Sequence, residues 1–260
     1  MKLRRLLAVL ALLLGSTAHA QIRSGDFKAF SFEQHPGAKL PLDTQLRDEA
    51  GRPVAFGQML EKRPAVLVLE YLRCKNLCSL VLSGATTAVS DAGLVPGRDL
   101  EFIAVSIDPR DTVADSAAAR AMYARRLPGA APDGLHFLTG SPEQVRQIAS
   151  AVGFPYRFDP ASGQFAHPAG FVVLTPQGRI SRYMLGLDPP SAALRAAVAE
   201  AGTGEITPPA HPLLLLCFGY DPDPNSVPAL VMRLTRIVSL IVLAACGLLI
   251  FLLSRRRRAA

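Results

Sequence analysis

Internal repeats are absent from this 260-residue chain, which excludes solenoids, propellers and other repeat arrays. Net charge is lacking where a nucleic-acid partner would need it. The chain carries 28 Lys+Arg against 21 Asp+Glu, but Lys2, Arg4 and Arg5 open it and Arg255 to Arg258 close it, so 21 residues of each sign remain between. The pI near 9.6 therefore describes the two ends, and a nearly neutral body gives no reason to expect nucleic acid. Histidine and cysteine are scarce, five and four. Long apolar runs are equally few, with one near each end.

The first run, residues 6–14, comes after the basic start and precedes Ala18-His19-Ala20, which fits a small-residue cleavage site. Residues 1–20 read as a secretory signal peptide; an uncleaved anchor is the alternative, and either exports the body of the chain. The second run, residues 237–253, is broken only by Ser239 and Gly247 and is just long enough to cross ~30 Å of hydrocarbon. Four arginines come directly after it, so the positive-inside rule puts the tail in the cytoplasm. The expectation is a single-pass protein of the inner (cytoplasmic) membrane with its main domain in the periplasm. Its parts are a signal (1–20), an extension (21–41), a folded domain (42–203), a linker (204–235), a transmembrane helix (236–254) and a basic cytoplasmic tail (255–260).

Within the domain, residues 65–69 (Ala-Val-Leu-Val-Leu) read as a strand buried on both faces. Cys74 and Cys78 come next, and a helix is expected over 80–90. Thiols at a strand-to-helix junction lose protons readily, and thiolate is both nucleophile and metal ligand. The spacing lets both sulfurs reach one ion or each other. A hairpin is expected within 42–54, a second buried strand over 100–107, and a helix capped by Asp111-Thr112 running to about 126. Ser141-Pro142-Glu143-Gln144 carries a capping box for a helix to about 152. A hairpin over 171–184 and a last helix over 190–201 complete a parallel βαβ core closed by antiparallel strands, a thioredoxin-like α/β arrangement. Function in such sheets gathers at the carboxyl ends of strands.

His167 lies in a Pro- and Gly-bearing loop before the hairpin, which a thioredoxin-like fold brings beside the cysteines. Two thiolates and an imidazole suit copper, with zinc as chemical competitor. Asp108 and Asp111 read as a turn residue and a helix cap, Met184 as core, and His35, His136 and His211 as surface residues. Cys217, between domain and span, has no firm assignment, and Cys246, within the span, has none.

These residues resemble the Sco/SenC family, exported thioredoxin-like copper proteins of cytochrome c oxidase assembly. The resemblance covers about 42–201 and rests on Cys74-x-x-x-Cys78, on Ser106-Ile107-Asp108-Pro109-Arg110-Asp111-Thr112, and on His167 ahead of Gly170-Phe171-Val172-Val173-Leu174. It implies Cys74, Cys78 and His167 as ligands of a copper ion, Cu(I) or Cu(II), and as destination the copper A centre of oxidase subunit II or another copper protein. Departures are Arg73, Lys75, Asn76 and Ser79 around the cysteines, Ala166 where an aspartate is usual before the histidine, and an anchor at the carboxyl end. Beside the metallochaperone reading stands an exported thiol–disulfide oxidoreductase or peroxide-reducing enzyme with Cys74 and Cys78 as its redox pair. Either needs a thiol reductant as partner. A plain structural disulfide is the simplest alternative for the pair.

Overall fold

The computed structural model describes residues 31–60, 62–72, 79–160, 163–209 and 238. In chain order the elements are β1 (Gln45–Arg47), β2 (Pro53–Ala55), β3 (Ala65–Glu70), α1 (Ser79–Asp91), β4 (Glu101–Ser106), α2 (Val113–Ala124), β5 (Leu135–Leu138), α3 (Pro142–Val152), β6 (Arg157–Asp159), β7 (Gln164–Ala166), β8 (Gly170–Leu174), β9 (Ile180–Leu185) and α4 (Ser191–Gly202). Five strands form the main sheet in the order β5-β4-β3-β8-β9. β3, β4 and β5 run parallel, while β8 pairs antiparallel with β3 and β9 with β8.

β3 is the central strand, and all six of its residues are buried because both faces are covered. Val66 and Val68 face α1 and α4, meeting Leu82, Ala85, Leu194 and Val198. Ala65, Leu67 and Leu69 face the other layer, with Val145, Ile148 and Val152 of α3. Burying each such Val or Leu contributes about 1.5–3 kcal/mol, so this strand ties the two layers of the core together. α1 approaches closely because Gly84 has no side chain, since a Cβ there would lie 1.8 Å from the Leu187 carbonyl oxygen. Met184 is core, as expected.

Within the domain the expected hairpins, core strands and helices are present, and the fold is thioredoxin-like. The capping box at Ser141 forms, and Gly153 closes α3 in the left-handed conformation with φ 66°. Two features differ from expectation. β5 and the small β6–β7 hairpin were not foreseen. His136, expected on the surface, sits on β5 only 12% exposed, with Nε2 3.3 Å from Oε2 of buried Glu101, which Arg63 also binds; His35 is exposed as expected. The expected signal and, apart from Val238, the transmembrane helix lie outside the described residues. Among the described residues no helix is long and apolar enough to cross a membrane.

Candidate metal centre

Two of the three expected ligands, Cys74 and Cys78, lie outside the described residues, as do Cys217, Cys246 and His211. Both flanks of the cysteine segment are described: the chain leaves β3 through Tyr71 and Leu72 and is described again from Ser79, where α1 begins. This is the carboxyl edge of the sheet, where open α/β sheets carry their sites.

His167 arrives there for a topological reason. β8 is antiparallel to β3, with Leu67 opposite Val172 and Ala65 opposite Leu174, so residues just before β8 lie level with the end of β3. The imidazole is stacked on Phe154 at 5.6 Å and edge-on to Tyr71 at 5.8 Å. Its side chain is 9% exposed.

Beside it stands a carboxyl group that the sequence pattern did not single out. Glu70 ends β3 with its side chain 1% exposed and Oε1 3.3 Å from His167 Nε2. Oε1 also accepts from the Tyr71 amide at 3.1 Å, while Oε2 is buried with no hydrogen-bond partner among the described residues. Burial pushes the Glu70 carboxyl above its ordinary range; His167 and the Tyr71 N–H pull it back, and the charge of Asp111 adds to the rise. The available signal was a lone charged residue closing an otherwise apolar strand shortly before the cysteines.

The segment after β4 braces this edge. Asp111 Oδ2 accepts from the Leu72 amide and from Ser106 Oγ, both at 2.6 Å, and the Ile107 amide donates to the Glu70 carbonyl at 3.0 Å. Asp111 is thus not the helix cap it was expected to be. Thr112 caps α2 in a reciprocal box with Asp115, leaving Asp111 to fix the chain two residues before Cys74. Asp108 is the expected turn residue, accepting from the Arg110 amide and pairing with its guanidinium at 2.7 Å. Arg110 in turn lies over Phe158 and Phe165 beside a groove of about 430 Å³ that also includes Tyr156 and Ile107.

Among the described residues no three His, Cys, Asp or Glu side chains are grouped to hold a metal ion. An ion at His167 and Glu70 would draw its other donors from outside them.

The sequence model of the SCO1/SenC family matches residues 34–201, well over half of the chain. The chain belongs to the SCO1/SenC family. Among solved structures it is similar to a putative electron transfer protein from Aquifex aeolicus VF5, with TM-score 0.57 and 24% identity, covering 66% of this chain and 96% of that one. A SCO1/SenC family lipoprotein from Bacillus anthracis str. Ames matches with TM-score 0.53 and 16% identity, covering 64% and 96%. BsSco, described as a member of the Sco family of cytochrome c oxidase assembly proteins in which a disulfide switch was identified, matches with TM-score 0.50 and 19% identity, covering 65% and 97%. These likenesses establish the shared fold. None of the curated proteins matches the chain.

Proposed function

We propose that this SCO1/SenC-family chain is a membrane-anchored copper-binding protein that assists copper insertion into cytochrome c oxidase, at the copper A centre of subunit II. Cys74, Cys78 and His167 hold the ion, which is cargo. The observation that carries the reading is the placement of His167: packed against Tyr71 and Phe154, beside the end of β3, where the chain leaves toward the two cysteines. The residues present fit such an ion. Two thiolates and an imidazole are soft-to-borderline donors, and the buried Glu70 Oε2 lacks a hydrogen-bond donor among the described residues, as an oxygen beside a cation site would. Basic Arg73 and Lys75 favour the thiolate forms on which binding depends.

Anaerobic titration of the reduced full-length protein with Cu(I) against a chromophoric chelator tests this. One tightly held ion per chain is expected, and it should be lost when the cysteines are oxidised. Absence of uptake, together with rapid thiol–disulfide exchange or peroxide reduction, would transfer the function to the oxidoreductase reading. Topology has its own test. A reporter active only in the cytoplasm, fused after Ala260, is expected to give signal, and the same reporter fused after Gly204 to give none. The reverse pattern would overturn the placement of the domain in the periplasm.

A further inference from the structure

We propose that the groove between the β6–β7 hairpin and α3 is a docking site for a partner protein, taking an acidic segment that carries one large aromatic side chain. That partner is the protein that receives the ion, an assignment that rests on the proposed function. The groove measures about 430 Å³, within the range of ligand-binding clefts. Ile107 and Val145, both buried, give its lining an apolar part. Tyr156, Phe158 and Phe165 give it an aromatic part, and Phe158 stands 39% exposed with its ring 5.3 Å from that of Phe165. Exposed rings joined to arginine are what protein interfaces are enriched in. A large ring suits such a lining best, through edge-to-face or offset contact.

The polar groups of this lining are donors in search of an acceptor. Arg146 makes no ion pair or hydrogen bond among the described residues. Arg110 gives Nε and Nη2 to Asp108, and Nη2 also to the Gly163 carbonyl at 3.4 Å, which leaves Nη1 without a partner among the described residues. Asp108 is 3% exposed against 52% for Arg110, so the pair presents its cationic member outward. The Tyr156 hydroxyl likewise has no partner among the described residues; burial pushes its pKa up, Arg146 pulls it back and Glu143 opposes that, so it is a neutral donor. No Asp or Glu is among the residues that line the groove. Two guanidinium groups and a phenol with donors to spare match carboxylates, which arginine binds through paired N–H groups.

The groove adjoins the candidate metal centre. Phe165 lies 6.0 Å from Tyr71, whose ring stands edge-on to His167 at 5.8 Å. Tyr156 lies 6.4 Å from Phe154, which stacks on His167 at 5.6 Å. A segment seated here holds its parent protein at the carboxyl edge of the sheet, two ring contacts from the imidazole. Passing an ion to a partner needs such closeness, and a groove outside the donor set supplies it without occupying a ligand position.

The chain has no tryptophan, so the indole fluorescence of a tryptophan peptide reports binding without a label. Metal-free full-length protein in a non-ionic detergent is titrated with the capped peptide Ser-Glu-Trp-Asp-Ser, with its counterpart Ser-Lys-Trp-Lys-Ser, and with indole-3-acetate. The acidic peptide is expected to bind about tenfold or more tightly than the lysine peptide, and to weaken as salt rises. Arg146→Glu should weaken the acidic peptide about tenfold and strengthen the lysine peptide, and Phe158→Ala should weaken both several-fold. Both positions are exposed, and both variants should take up Cu(I) as wild type does. No binding of the acidic peptide, equal affinity for the two peptides, or unchanged affinity in both variants overturns the docking site and leaves copper binding standing. Indole-3-acetate bound as tightly as the acidic peptide overturns the protein partner in favour of a small aromatic acid. A chain that docks the acidic peptide with this variant pattern but takes up no copper overturns the proposed function and the recipient's identity, while the groove stands.

Discussion

Replacing either Cys74 or Cys78 with serine is expected to reduce Cu(I) affinity by several orders of magnitude and to abolish thiol–disulfide exchange in the same protein, with no loss of fold. The metal effect comes from ligand chemistry: a serine hydroxyl is neutral and hard at neutral pH, so each change deletes one of two soft anionic donors and leaves an ion that prefers sulfur with one thiolate. The redox effect comes from stoichiometry, because one thiol cannot form an internal disulfide. The fold should tolerate both changes, since α1, α3 and α4 cover the central sheet with apolar side chains of their own. Copper affinity by chelator competition and exchange rate by a fluorogenic disulfide, measured on one preparation, check the prediction. A serine variant that keeps wild-type copper affinity would remove that cysteine from the site.

Much of this was legible in the chain because the signals are local. An unbroken apolar run marks a strand covered on both faces, and Ala65–Glu70 is such a strand. Ser141, Pro142 and Gln144 specify a helix start through hydrogen bonds that close within four residues, and those bonds form. The features that were not legible depend on residues far apart in sequence. β5 is short and polar at His136, whose side chain pairs with Glu101 on the neighbouring strand. Asp111 looked like a cap because it precedes a helix; its actual partner, the Leu72 amide, is brought to it by the parallel pairing of β3 with β4. Glu70 looked like the polar end of a strand. Only the antiparallel return of β8 sets His167 against it and makes a strand-terminal polar residue an interior one.

Truncation of the imidazole is the experiment that best separates metal delivery from redox catalysis, and the burial of the ring changes the expected result. His167→Ala is expected to lower copper affinity strongly and impair oxidase assembly while leaving exchange at Cys74 and Cys78 nearly intact, because a dithiol needs no imidazole. A surface histidine would make this change almost neutral for stability. Here the ring is packed between Tyr71 and Phe154 and is 9% exposed, so its removal opens space and strips Glu70 Oε1 of its neighbour. A cost of roughly 2–4 kcal/mol is expected from lost packing and a buried carboxyl left with less compensation. Part of that cost belongs to the contact itself, so Glu70→Ala combined with His167→Ala should be less destabilising than the sum of the two singles, with a coupling of about 0.5–3 kcal/mol. Chemical denaturation of the four metal-free proteins measures the coupling, and Cu(I) competition on the same samples measures affinity at known stability. If His167→Ala unfolds no more easily than wild type, the ring does not occupy the buried position beside Glu70. If it binds Cu(I) as tightly as wild type while exchange still depends on both cysteines, the chain is an oxidoreductase rather than a copper carrier.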